Sequence, residues 1–351
     1  MFAQGLSLRW NAMKKSAYSI AVVGATGLVG QEILDRLDER GFPVGALQLY
    51  ASPRTAGDEL RCAGVSARVE LLDGARFEGT DLVFVAAGEQ VSAEWVPRAT
   101  DAGAVVIDTS QLFANDADVP LVVPEVNADS LADYSQRGLV ASPDTAAVAM
   151  SIVLKPLQAA GMLKRVVACT IEPVSAAGRA GIEELQQQTI ELMSGRSVDA
   201  ALFPHRIAFN LVPQVGDLLD GGTSQGEQQT IAALRRLLAD AELGISVTRV
   251  RAPLFYGTAI SMSVETVDGM TVADARQALR AAPGILLQDD VVVTSYSTPA
   301  DAVGQDAICV SRSRADATGK VLDLWIAFDN VRKGCAANAV QIAEILIRDY
   351  L

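Results

Sequence analysis

The first sustained apolar run of the chain, Ile-Ala-Val-Val over 20–23, is continuous rather than alternating, as in a strand buried on both faces. Leu28, Val29, Ile33, Leu34 and Leu37 then recur at the spacing of one helix face. Further buried strands are predicted over 47–51, 81–88, 104–108 and from 139 into a turn ending at Thr145. Helical spacing fills 91–102 and 146–158. Strands alternating with helices in this way argue for an α/β, Rossmann-like, doubly wound parallel sheet.

Beyond Lys164 the pattern changes. Residues 165–172, 244–251, 258–266 and 290–295 are rich in β-formers, with helices predicted over 181–193 and 224–238. They read as an α+β domain with a mainly antiparallel sheet. A last strand over 321–328, a turn at Asp329-Asn330 and a helix over 335–349 close the chain. The expected division is a dinucleotide-binding domain over 13–146 and 333–351, a second domain over 147–332, and an unstructured extension over 1–12 ahead of Met13-Lys14-Lys15.

With 351 residues, half of them hydrophobic, the chain has material for two ordinary domains. A net charge of −13 without a basic run argues against nucleic acid as a partner, and no apolar stretch is long enough to span a membrane. Four widely spaced cysteines point to a reducing, cytoplasmic setting and to no structural metal. One histidine, His205, rules out a histidine-rich metal site and limits acid–base chemistry; its surroundings suggest a hydrogen-bonded structural role.

The strand–glycine–helix unit carries the clearest chemistry. Gly24, Gly27 and Gly30 let the backbone approach a pyrophosphate at a helix N-terminus. The next strand ends Ser52-Pro53-Arg54-Thr55, where an NAD-preferring site usually has an acid, so the pattern suits a 2′-phosphate and hence NADP. At residue 145 a strand–turn–helix would make a cysteine a ready nucleophile, but the residue is Thr145.

From Met13 to its end the chain resembles aspartate-semialdehyde dehydrogenase. The resemblance is carried in order by Gly24-Ala-Thr-Gly-Leu-Val-Gly30, Ala51-Ser-Pro-Arg-Thr-Ala-Gly57, Asp118-Val-Pro-Leu-Val-Val-Pro-Glu-Val-Asn127, Val174-Ser-Ala-Ala-Gly178, Ile207-Ala-Phe-Asn-Leu-Val-Pro213 and Asp329-Asn-Val-Arg-Lys-Gly334 with Ala336-Ala-Asn-Ala-Val-Gln-Ile-Ala343. It implies NADP bound by Gly24, Thr26, Gly27, Leu28, Val29, Gly30, Ser52, Arg54, Thr55, Ser175 and Asn338. It also implies a homodimer formed largely through the second domain's sheet, and reversible reductive dephosphorylation of β-aspartyl phosphate.

The departures fall at the chemical positions. In the family's Ser-Asn-Pro-Asn-Cys-like turn, Thr145 stands for the nucleophilic cysteine. Thr258 stands for the acid–base histidine seven residues after the retained Arg251. Ala114 aligns with the phosphate-binding arginine and Glu172 with the substrate-positioning glutamine. A threonine hydroxyl without a strong base does not form the family's thioester. The expectation is an NADP-binding homodimer without that turnover. The alternatives are an NADP-dependent oxidoreductase on another carbonyl, residual family activity with Cys335 recruited as nucleophile, or a scaffold without cofactor. Cys335 follows two cationic residues near a helix start, which favours a thiolate, although a buried structural role is the preferred reading.

Overall fold

The computed structural model describes residues 15–289 and 295–351. β1 (Tyr18–Val23) leads through a glycine turn into α1 (Leu28–Glu39) and β2 (Val44–Ala51). A hairpin, β3 (Glu59–Cys62) and β4 (Val65–Leu71), follows; it was not among the expected elements, although its residues alternate apolar and polar. Then come β5 (Leu82–Val85), α2 (Glu89–Asp101), β6 (Val105–Asp108), the short α3 (Pro124–Asn127), β7 (Leu139–Ala141) and α4 (Thr145–Ala160). The sheet order is β3-β4-β2-β1-β5-β6-β7, and every pairing except β3–β4 is parallel. Strand order reverses around β1, which opens a crevice at its C-terminal end where such sheets take their ligands.

The second sheet uses β8 (Leu163–Glu172), β9 (Gly244–Arg251), β10 (Thr258–Thr266), β11 (Ile285–Gln288), β12 (Ile308–Ala315) and β13 (Val321–Phe328). Between them lie α5 (Gly178–Met193), α6 (Gln225–Leu237), α7 (Val272–Ala281) and α8 (Pro299–Ala302). Its order is β11-β12-β13-β10-β8-β9. The three central pairings are antiparallel, as expected, but β8–β9 and β11–β12 are parallel. Helices intervene in both outer connections and carry the chain back to the starting edge, which makes the next strand run parallel. The strand expected over 290–295 and the extension over 1–12 fall outside the described residues, apart from Ser295, which is not in a strand.

The last helix is shorter than its apolar pattern suggests. A wide π-type turn over Arg332–Ala336 precedes α9 (Ala337–Ile345), and a second one, Leu346–Tyr350, follows it. The Asp329 carboxylate accepts from the amides of Val331 and Arg332 at 2.9 and 2.8 Å, while Gly334 N and Ala336 N each reach back five residues. α9 packs beside α1 on one face of the parallel sheet, where Ile342 and Ile347 meet Ile20 and Ile33.

α4 joins the two halves. Its residues 146–154 are all buried, both apolar and small side chains, so this part of the helix has no solvent face; its last residues, Ala159 and Ala160, are exposed. The same core contains Val85 and Val106 of the first sheet and Val166 and Ile260 of the second. Replacing Leu154, fully buried in this layer, by alanine is expected to cost about 2–5 kcal/mol. Urea unfolding should show the loss as one transition, because α4 serves both sheets; a selective loss of one half would contradict the shared core.

Candidate functional site

The glycine turn is built by contact as much as by flexibility. Gly24 has φ +82°, and a Cβ there would lie 2.4 Å from the Ala86 carbonyl oxygen. A Cβ on Gly30 would lie 2.2 Å from the Gly24 carbonyl oxygen. Gly27 is the N-cap of α1, and no side chain caps its first amides. Leu28 and Val29 open the helix, half-buried. Thr26 and Thr55 share a hydroxyl–hydroxyl hydrogen bond of 2.7 Å, which draws the loop after β2 against the glycine turn. That places Ser52 and Arg54, both exposed, at the same end of the crevice.

Two more predicted cofactor residues come from distant segments. Asn338 is fully buried on α9, where its amide nitrogen donates to Val122 O at 3.0 Å and to Ser142 Oγ at 2.8 Å. Among the described residues its Oδ1 has no partner, an acceptor left open beside the strand ends. Ser175 is buried and accepts from Asn330 Nδ2 at 3.1 Å, while Asn330 Oδ1 accepts from Gly257 N at 3.0 Å. The residues present therefore fit a nicotinamide dinucleotide: a tight backbone cradle, an uncapped helix start, and a buried amide with an unused acceptor.

The positions expected to carry chemistry are arranged differently. Asp144 caps α4, its Oδ1 accepting from Ala146 N and Ala147 N at 3.0 and 3.3 Å. Thr145, the first residue of α4, lies against Gly334: a Cβ on that glycine would be 2.9 Å from the threonine Cβ. Thr258 opens β10 opposite Phe328, buried, and its hydroxyl has no hydrogen-bond partner among the described residues. Ala114 is buried too, and Arg236 Nη1 donates to its carbonyl at 2.8 Å.

Arg249 was not singled out from the sequence, yet it dominates this pocket. Its Nε and Nη2 donate to the two oxygens of Glu172 at 2.6 and 3.0 Å, while Nη1 lies 3.3 Å from Asp144 Oδ1. Nη1 also donates to Thr230 Oγ1 and Gly226 O. Arg251 lies 3.5 Å from Glu172 and donates to Pro173 O at 2.9 Å, which favours acid pairing over a free carboxylate anchor. Thr170 adds a hydrogen bond to Glu172 at 2.7 Å. All four charged groups are largely sequestered. The period of two along β9 puts Val247, Arg249 and Arg251 on the core face together, and that is the signal that marked Arg249 as paired.

Burial raises the Glu172 carboxyl, but the charge and hydrogen bonds of Arg249, with Arg251 and Thr170, outweigh it and carry Glu172 below the ordinary carboxylate range. For Asp144 burial prevails, reinforced by the Glu172 charge, and its carboxyl is pushed up. Cys335 does not behave as a recruit. It sits inside the π-type turn rather than at a helix start, and burial pushes its thiol up to about 12, with the charge of Asp108 acting in the same direction against a hydrogen bond with Thr109. His205 is exposed and has no hydrogen bond among the described residues, so the structural role expected for it is not seen.

Removing Arg249 while its acids stay buried should be costly. Arg249→Ala is expected to lose about 3–5 kcal/mol of stability in chemical denaturation. In the native protein the lowered Glu172 contributes stability that is complete above the ordinary carboxylate range and is lost as pH falls through its folded value. Asp144, being raised, contributes in the opposite sense and loses its share as pH rises. Without Arg249 both acids favour the protonated form, so the variant's deficit should be largest near neutral pH and shrink on acidification. A deficit independent of pH would show that the network carries little of it.

Two family models cover most of the chain: the semialdehyde dehydrogenase NAD binding domain matches residues 19–134, and the semialdehyde dehydrogenase dimerisation domain matches 154–333. Aspartate-semialdehyde dehydrogenase of Aquifex aeolicus is 40% identical over 337 residues, 95% of this chain and 99% of that one. Aspartate semialdehyde dehydrogenase II of Vibrio cholerae, solved in complex with ASA, superposes with a TM-score of 0.93 at 37% identity over 96% of this chain and all of the other. The Candida albicans enzyme, solved with NADP, shares the fold at TM-score 0.72 and 20% identity over 94% of this chain and 98% of the other.

Proposed function

The chain belongs to the aspartate-semialdehyde dehydrogenase family, and within it we propose an NADP-binding homodimer that does not carry out the family's reductive dephosphorylation of β-aspartyl phosphate. The observation that carries this reading is the pocket at the start of α4. Thr145 presents a hydroxyl where a thiolate is needed, and Thr258 offers no base. The glutamine position is a glutamate whose carboxylate is bound to Arg249 and Arg251. An anionic acyl phosphate would meet Glu172 and Asp144 with their cations already engaged, and Ala114 supplies no charge to hold its phosphate. Loss of nucleophile, base and anchor together leaves binding as the remaining capacity of the site.

The cofactor end supports the other half of the reading. Bound NADP would supply a hydride donor or acceptor; this chain's contribution is to hold it, through the glycine turn, Asn338 Oδ1 and Arg54. The exposed guanidinium of Arg54, with Ser52 and Thr55 beside it, favours the 2′-phosphated dinucleotide over NAD. The second sheet leaves one face open, with Val167 exposed and Val250 half-buried, and Phe209, Leu211 and Leu218 are also exposed nearby in sequence to α5 and β9. Apolar surface of this kind favours self-association.

Purified protein incubated with L-aspartate semialdehyde, phosphate and NADP⁺ is expected to give no nicotinamide reduction above background. A rate near that of an active relative, abolished by Cys335→Ser, would overturn the non-catalytic reading. Calorimetric titration should show tighter binding of NADP⁺ than NAD⁺, with Arg54→Ala weakening only the former. Absence of binding by either nucleotide would favour a scaffold instead. Sedimentation should report a dimer, and a monomer at micromolar concentration would refute the proposed assembly.

A further inference from the structure

Arg179, in the first turn of α5, reaches from the second domain to the glycine turn of the first. Its Nη2 donates to the Thr26 carbonyl at 3.2 Å and to Gln31 Oε1 at 2.9 Å. Thr26 immediately precedes Gly27, the uncapped N-cap of α1, so this guanidinium sits beside the positive end of that helix. Its own helix offers no relief, because the first turn of α5 has no acidic residue and no side-chain cap. Among the described residues Arg179 has no carboxylate partner, although the chain as a whole carries a net charge of −13. A cation held against a positive helix end by two neutral acceptors is poorly placed for stability, and it becomes well placed only when an anion enters between the two.

The dinucleotide-binding domain matched over 19–134 puts the diphosphate of its ligand at this end of α1. We propose that Arg179 is a diphosphate clamp. In the unliganded protein it is parked on Thr26 and Gln31. When the dinucleotide binds, the guanidinium leaves these neutral acceptors and engages the diphosphate, drawing the start of α5 over the glycine turn. Its side chain is exposed, so the exchange needs no repacking of the core. The role differs from that of Arg54: Arg179 reads the diphosphate common to NADP and NAD, and Arg54 reads the 2′-phosphate that only NADP carries. The clamp rests on the dinucleotide reading of the previous subsection.

The test is calorimetric titration of the full chain with NADP⁺, NAD⁺ and 2′-AMP, which has the 2′-phosphate but no diphosphate. Arg179→Gln should weaken NADP⁺ and NAD⁺ by a similar factor, roughly ten- to hundredfold, and leave 2′-AMP unchanged. Arg179→Lys should recover part of the loss, since it keeps the charge without the fork. Arg54→Ala should show the complementary pattern, weakening NADP⁺ and 2′-AMP while sparing NAD⁺. Unchanged dinucleotide affinity in Arg179→Gln would overturn the clamp while leaving the cofactor reading intact. Equal weakening of all three ligands would also overturn it, because that marks general damage to the crevice. Failure of the unaltered protein to bind either dinucleotide would refute the cofactor reading itself.

Discussion

A guanidinium taken out of water must be neutralised nearby, and at Arg249 that requirement shapes a whole pocket. Glu172 and Asp144 supply the opposing charge from two different elements, the end of β8 and the cap of α4. The same guanidinium satisfies Gly226 O and Thr230 Oγ1 from α6, so one side chain ties together the start of the central helix, the second sheet and a covering helix. Such a cluster tolerates little change in any single member, since removing one leaves the others buried and unmatched. Asp144 and Glu172 both face Arg249, and Arg251 adds a second cation beside Glu172. The four residues form one unit, and an anionic ligand would have to compete with it.

α4 transmits that constraint through the rest of the fold. Its first residue touches Gly334 in the π-type turn, and its body is packed between two sheets. The turn at Asp329-Asn330 closes the loop from the other side: Asp329 also accepts from Gly304 N at 2.8 Å, and Asn330 fastens Gly257 and Ser175. These hydrogen bonds hold the segments around Thr145 in place.

Much of this was legible from the residues alone. Continuous apolar runs located β1, β5 and β6, and the bounds expected for β9, β10 and β13 are those observed. The hairpin β3–β4 was missed although Leu60, Cys62, Val65, Ala67, Val69 and Leu71 alternate with polar residues as in a half-buried strand; its strands are short, and their pairing runs through β2. The parallel edges of the second sheet depend on how the intervening helices route the chain, which no local pattern encodes. The positions expected to carry chemistry could be picked out from the residues, but the cation paired with Glu172 and Asp144 could not. Arg249 reads as an ordinary charged residue on a strand until its alternation with Val247 is taken seriously. For Cys335 the preferred buried reading agrees with the structure: nearby cations in sequence suggest a thiolate, but burial acts in the opposite direction and prevails.

The two ends of the crevice differ in how their polar groups are committed. At the pocket below α4 the cations are matched to acids within the protein, and the desolvation cost of Glu172 and Asp144 is offset internally. At the nucleotide end the capacity is open: among the described residues Asn338 Oδ1 has no partner, α1 begins without a side-chain cap, and Arg54 and Arg179 face no carboxylate. The helix start and the two guanidiniums are unused positive capacity on a strongly anionic chain, which an anionic ligand requires and folding alone does not, while the Asn338 acceptor is open to a donor. Internal satisfaction at one end and deficit at the other leave the crevice open to a phosphorylated ligand beside a pocket whose charges are already matched.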